Sequence, residues 1–98
     1  VPAYLLTVAS ITQRTPQLAE YSQKAAQLSA QYGGEYVIRG KAAETLEGAL
    51  FGTHMVVLSR FPSREQALAF YRSAEYQALK PLRDGTGLYD IGVFDGVG

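Results

Sequence analysis

Arg39 closes the run Gly33-Gly34-Glu35-Tyr36-Val37-Ile38-Arg39-Gly40 and is the side chain best suited to recognising a small anion. A guanidinium grips a carboxylate or enolate through two parallel N–H donors, which an ammonium cannot do. By strand alternation Arg39 shares a face with Val37 and Glu35 and points away from Tyr36 and Ile38. It is a ligand contact if that face looks into an enclosed barrel. Otherwise it pairs with Glu35, Glu47 or Asp90, or is solvated at a strand end. His54 is the one histidine, so acid–base chemistry near neutrality falls to it first. A lone histidine beside a loop is, however, more often simply solvated. Asp90 interrupts an apolar strand, where a carboxylate needs a partner or shifts its pKa upward. Its alternative is an edge position facing water. Arg60 and Arg83 would extend a basic lining, and Tyr36 could add a hydroxyl to it. The catalytic candidates are thus His54 and Asp90, and the ligand-binding candidates are Arg39, Arg60, Tyr36 and Arg83.

Other chemistries are poorly provided for. The chain has no cysteine, one histidine and scattered acidic residues, so no metal site is expected. No phosphate-binding glycine loop or nucleophile elbow occurs, and no cofactor is expected. Nine basic residues balance nine acidic ones, which argues against a nucleic-acid partner. No apolar run approaches the roughly 20 residues of a membrane-spanning helix. Tyr4-Leu5-Leu6 is too short for the apolar centre of a signal peptide, so a cytoplasmic location is the simplest expectation. With 98 residues, 47% of them apolar, the chain is expected to form a single domain over residues 1–98.

The elements that must position these side chains follow from periodicity. Val1 to Ile11 alternates as a strand with apolar residues on both faces. Thr15 and Pro16 open a helix that runs to about Tyr32, with Leu18, Tyr21, Ala25, Leu28 and Tyr32 as its buried stripe. Gly33 is placed to stop it in the left-handed conformation. A second strand covers Glu35 to Arg39, and Thr45-Leu46-Glu47 continues it after a bulge at Gly40. Thr53 to Phe61 is a third strand. Ser63 and Gln66 form a capping box on a second helix, whose inner face is Ala67, Phe70 and Tyr71. A break at Ser73-Ala74 precedes a further turn with Tyr76, Leu79 and Leu82. Gly85-Thr86-Gly87 is a flexible turn into a last strand, Leu88 to Phe94.

This β-α-β-β-α-β order predicts an α+β, ferredoxin-like fold: a four-stranded antiparallel sheet with two helices on one face. Helices on one face leave the other uncovered, yet the strands are apolar on both. A second copy packed sheet to sheet as a homodimer is the economical cover. At roughly 25 cal/mol per Å² of apolar area, a bare face forgoes several kcal/mol, much of a small domain's stability.

Pro2-Ala3-Tyr4, the Gly33–Gly40 segment, Leu46-Glu47-Gly48, Phe61-Pro62-Ser63-Arg64-Glu65-Gln66-Ala67, Tyr71-Arg72-Ser73-Ala74-Glu75-Tyr76-Gln77 and Lys80-Pro81-Leu82-Arg83 occur in order. Together they resemble the bacterial family known as domain of unknown function 1330, over about residues 2 to 94. The resemblance implies a dimeric α+β barrel and no agreed activity. Two positions depart from the family pattern: Ala74 stands where Ser-Pro-Glu-Tyr is usual, and Arg60 stands where a glutamate often precedes the phenylalanine. Related dimeric α+β barrels suggest a cofactor-independent lyase, isomerase or monooxygenase-like enzyme acting on a small anionic or phenolic compound. The alternatives are a non-catalytic small-molecule-binding or accessory protein, and a structural dimer with no ligand. Convergence of Arg39, His54, Arg60 and Asp90 on one cavity would favour the enzyme.

Overall fold

The helices begin and end where the local chemistry dictates. In the computed structural model, which describes residues 1–97, Thr15 caps α1 (Pro16–Gln31) by accepting the Leu18 N–H at 3.0 Å. The same helix ends in a Schellman motif: Gly33 N–H donates to Ala30 O and Gly34 N–H to Ser29 O, with Gly33 at φ 84°. Ser63 caps α3 (Arg64–Arg72) through the Gln66 N–H. Ser73 then ends α3 and starts α4 (Ala74–Leu79): its hydroxyl donates to Phe70 O and accepts the Tyr76 N–H. A 3-10 turn over Lys80–Arg83 completes this arm.

The strands β1 (Ala3–Ile11), β2 (Glu35–Lys41), β3 (Met55–Phe61) and β4 (Gly87–Asp95) form one antiparallel sheet in the order β2-β3-β1-β4. This is the expected ferredoxin-like α+β fold. Two layers give a slab with extents of 34 × 32 × 16 Å. Ala3, Leu5, Ala9, Ser59 and Phe61 face the helices and are buried. There they join Ala25, Leu28, Ala67, Phe70 and Tyr76 in the core. The opposite face carries Leu6, Val8, Val56 and Leu58 at its centre, with Ile38 and Phe94 about half exposed. No helix covers it.

Three details differ from the sequence expectation. Pairing stays regular through Gly40↔Val56 and Lys41↔Met55, and the register shifts instead between Tyr36 and Ile38. The bulge therefore sits at Val37. Thr45-Leu46-Glu47 does not extend the strand: residues 42–49 are irregular and exposed. A single helical turn, α2 (Leu50–Thr53), precedes β3, which starts at Met55 rather than Thr53. Leu50 and Phe51 belong to that turn, which has no buried residue.

Candidate functional site

The two helical arms sit differently on the sheet. α3 packs against β1, β3 and β4, whereas α1 leans on α4 and the 3-10 turn and hardly meets the strands. The gap beneath α1 is a cavity of about 260 Å³. Its floor is Thr7, Ala9, Val57 and Ile91, and its roof is Leu18, Ser22 and Ala25 from α1. Small residues on α1 leave the room; larger ones there would close it. Tyr21, Tyr71, Tyr76 and Tyr89 ring one end. Tyr36, Arg39 and Arg14 line the cavity but are exposed, so they form its rim along β2 and the β1–α1 loop.

The bulge decides which way Arg39 points. With one extra residue at Val37, Tyr36 and Arg39 pair with Ser59 and Val57, which share the helix-side face. Arg39 is therefore on the same side as Tyr36, correcting the alternation reading. Its guanidinium carbon lies 4.8 Å from the Tyr36 ring centroid, a cation–π contact. It faces the space beneath α1, not the open sheet face. Burial raises the Tyr36 phenol above its ordinary value of 10.0, with Arg39 pulling it the other way.

The other candidates do not converge on this cavity. Asp90 is exposed and pairs with Val8, in the cross-sheet row Gly40–Val56–Val8–Asp90 on the open face. Arg39 lies on β2 and Asp90 on β4, the two outer strands. Three interstrand spacings put them roughly 14 Å apart, on opposite faces. Arg60 is exposed on the open face, between Tyr4 and Glu35. His54 closes α2: its Nδ1 is 3.0 Å from Leu50 O and 2.8 Å from Thr53 Oγ1. The Leu50 carbonyl can only accept, so Nδ1 carries the proton toward it. Arg39, His54, Arg60 and Asp90 do not meet in one cavity, so the convergence that would have favoured an enzyme built on Arg39 and Asp90 together is not found.

Arg83 lies behind the tyrosine ring. Its guanidinium carbon is 4.6 Å from the Tyr89 centroid and 5.6 Å from that of Tyr21, and its Nε is buried without a hydrogen-bond partner. Burial alone would lower its pKa, but the neighbouring Tyr21 and Tyr76 phenols outweigh that and the net shift is upward. It stays charged. Thr86 fixes this corner: it is buried, its hydroxyl meets Tyr89 Oη at 2.7 Å, and its carbonyl accepts from Thr12 and Gln13. The Gly85–Gly87 segment is a braced turn rather than a flexible one.

Tyr21 and Tyr76 are the site residues that periodicity hid. Their hydroxyls are 2.6 Å apart, and Tyr76 also packs on Phe70 and Tyr71 at 5.0 and 4.8 Å between centroids. Helical spacing assigns both to packing, which is true of their rings. The hydroxyl ends are distinguishable only once α1 and α4 are juxtaposed. Burial, reinforced by Tyr76, pushes the Tyr21 phenol far above 10.0.

The family model described as "Domain of unknown function (DUF1330)" matches residues 2–97. No curated protein matches this sequence. Several solved structures share the fold. One is RPA0582 from Rhodopseudomonas palustris, a protein of unknown function: TM-score 0.74, 16% identity, covering 99% of this chain and 83% of that one. Another is SnoaB, a cofactor-independent oxygenase from Streptomyces nogalater: TM-score 0.69, 8% identity, 99% and 94% covered. A third is a dimeric ferredoxin-like protein of unknown function from Thermobifida fusca: TM-score 0.63, 10% identity, 95% and 89% covered. At these identities the likeness is one of fold.

Proposed function

The chain belongs to the DUF1330 family, and from that footing we propose that it is a homodimer that binds a small anionic or phenolic aromatic compound beneath α1. The observation that carries this reading is the character of the cavity. Among its lining residues every ionisable group is an arginine or a tyrosine, with no carboxylate or imidazole, and the rest of the wall is apolar side chains with the hydroxyls of Thr7, Ser22, Ser29 and Ser59. Such a lining favours a planar ligand bearing negative charge or an acidic hydroxyl. Arg39 and Tyr36 are the rim contacts, and Arg83 acts through the tyrosines. A volume of about 260 Å³ exceeds the roughly 150 Å³ that admits benzene, so one substituted ring or a fused pair is the right size.

The apolar open face supports the homodimer, as does the dimeric Thermobifida fusca neighbour. We assign the protein to the bacterial cytoplasm; no helix of the described residues is long and apolar enough to cross a membrane. The test of binding is a thermal-shift screen of substituted phenols and aromatic carboxylates, repeated on Arg39→Ala. Hits from wild type should lose about tenfold in affinity, a charge-assisted contact at an exposed rim. A screen without hits, or hits indifferent to Arg39, would refute the site.

The likeness to SnoaB favours a second reading, cofactor-independent oxidation of the bound phenol by dioxygen. His54 and Asp90 lie away from the cavity and have no part in it, so the substrate would have to ionise against the tyrosine end. Oxygen uptake on adding 1-naphthol distinguishes the two: binding without uptake leaves a binding protein.

A further inference from the structure

We propose that the Tyr21–Tyr76 hydroxyl pair, held in place by Arg83, receives the ionised oxygen of a phenol or enol and favours the anion over the neutral form. This deepens the binding reading above and rests on it. Two hydroxyls 2.6 Å apart share one proton between them. The accepting hydroxyl keeps its own O–H, and no hydrogen bond among the described residues uses it. Both rings line the cavity, so that remaining donor has the cavity to serve. Tyr76 is 2% exposed and Tyr21 only partly buried, so in this arrangement Tyr76 donates to Tyr21, whose own O–H turns to the cavity.

The electrostatics of this corner point the same way. Arg83 stands against Tyr21 and Tyr89 and belongs to neither ion pair of the described residues, which are Lys24–Glu20 and Arg64–Asp95. The charged and titratable groups around the pair are Tyr36 and Arg39 from β2, Tyr71 from α3, Lys80 and Arg83 from the 3-10 turn, Tyr89 from β4 and Arg14 ahead of α1. All are neutral or cationic at neutral pH. A phenolate there accepts a charge-assisted O–H bond with uncompensated positive charge behind the donor. The raised Tyr21 pKa keeps that hydroxyl protonated, and therefore donating, while the ligand ionises. Arg83 is a positioning residue in this arrangement, since it touches the tyrosines and does not line the cavity.

The experiment is a spectrophotometric titration of 4-nitrophenol bound to the protein, because its coloured phenolate is read separately from the colourless phenol. Wild type should lower the bound pKa by at least about one unit, a tenfold preference for the anion. Tyr76→Phe should abolish the shift while changing affinity for the neutral phenol less than about threefold. Tyr21→Phe breaks the same hydrogen bond and replaces it as the test if Tyr76→Phe melts early. Arg83→Met should remove most of the shift and Arg83→Lys should keep much of it, a pattern that a purely structural arginine would not produce. Binding with an unshifted pKa, or a shift that survives both phenylalanine variants, overturns the proposal and leaves the binding reading standing. No binding of 4-nitrophenol by wild type overturns both.

Discussion

Leu58→Glu is the sharpest test of the sheet-to-sheet dimer. Leu58 lies in the middle of the open face, in register with Leu6 on β1 and Ile38 on β2. In the single chain it remains partly exposed, so a glutamate there costs folding about 1 kcal/mol, within the range of strand preferences. In a two-fold dimer the same position is central, and symmetry buries two carboxylates at once. The effective penalty for an unpaired buried ion is several kcal/mol. Taking about 3 kcal/mol for each gives about 6 kcal/mol, or about four orders of magnitude in Kd at 1.4 kcal/mol per decade. Sedimentation equilibrium should show wild type and Leu58→Met as dimers and Leu58→Glu as a folded monomer at micromolar concentration. An undiminished dimer in Leu58→Glu would mean that the copies meet elsewhere, and a monomeric wild type would remove the packing argument altogether.

A Cβ on Gly34 would strike Ser29 Oγ and lie 2.7 Å from the fully buried Phe61 ring, so Gly34→Ala should cost roughly 1–3 kcal/mol. An unchanged urea midpoint would contradict that close approach. Ala74 occupies the first position of α4 and follows Ser73 at ψ 150°, which suits the residue before a proline. Ala74→Pro should therefore stabilise by about 0.4–1 kcal/mol, and a lower melting temperature would refute the cap geometry. The Tyr21 pKa is raised in the folded state above its ordinary 10.0, so the folded chain holds that proton longer than the unfolded one. The associated stability is complete below pH 10.0 and declines as pH rises above it, by up to about 1.4 kcal/mol per unit. Urea melts at pH 10 and 11 should show a shallower decline in Tyr21→Phe; identical slopes would remove the buried-phenol account.

The fold was legible because its signals are local and mutually consistent. Thr15, Pro16 and Gly33 mark α1 by capping chemistry, Ser63 and Gln66 mark α3, and two-faced apolar strands announce a sheet that needs a second cover. What escaped depends on juxtaposition. The bulge at Val37 has no residue signature, since neither glycine nor a turn former occupies it, while Gly40, which has one, pairs regularly. A one-residue error in register exchanges the faces of a strand, so misplacing the bulge put Arg39 on the wrong side relative to Tyr36. His54 and Asp90 drew attention by residue type, yet their neighbours are Leu50 and Val8 rather than a cavity. The Tyr21–Tyr76 pair spans 55 positions of sequence, beyond any periodicity.

The same bulge limits how copies of this chain can join edge to edge. β2 is an outer strand of the sheet, with Glu35, Arg39 and Lys41 among its residues. A kinked, charged margin is a poor template for an incoming strand. A face is satisfied after two copies, whereas a margin that accepts strands has no natural end to its growth. Deleting Val37 would straighten that margin while leaving Arg39 paired with Val57 on the cavity side. Light scattering should then rise with time for the deletion variant and stay flat for wild type; a quiet deletion variant would show that the margin is guarded by charge alone.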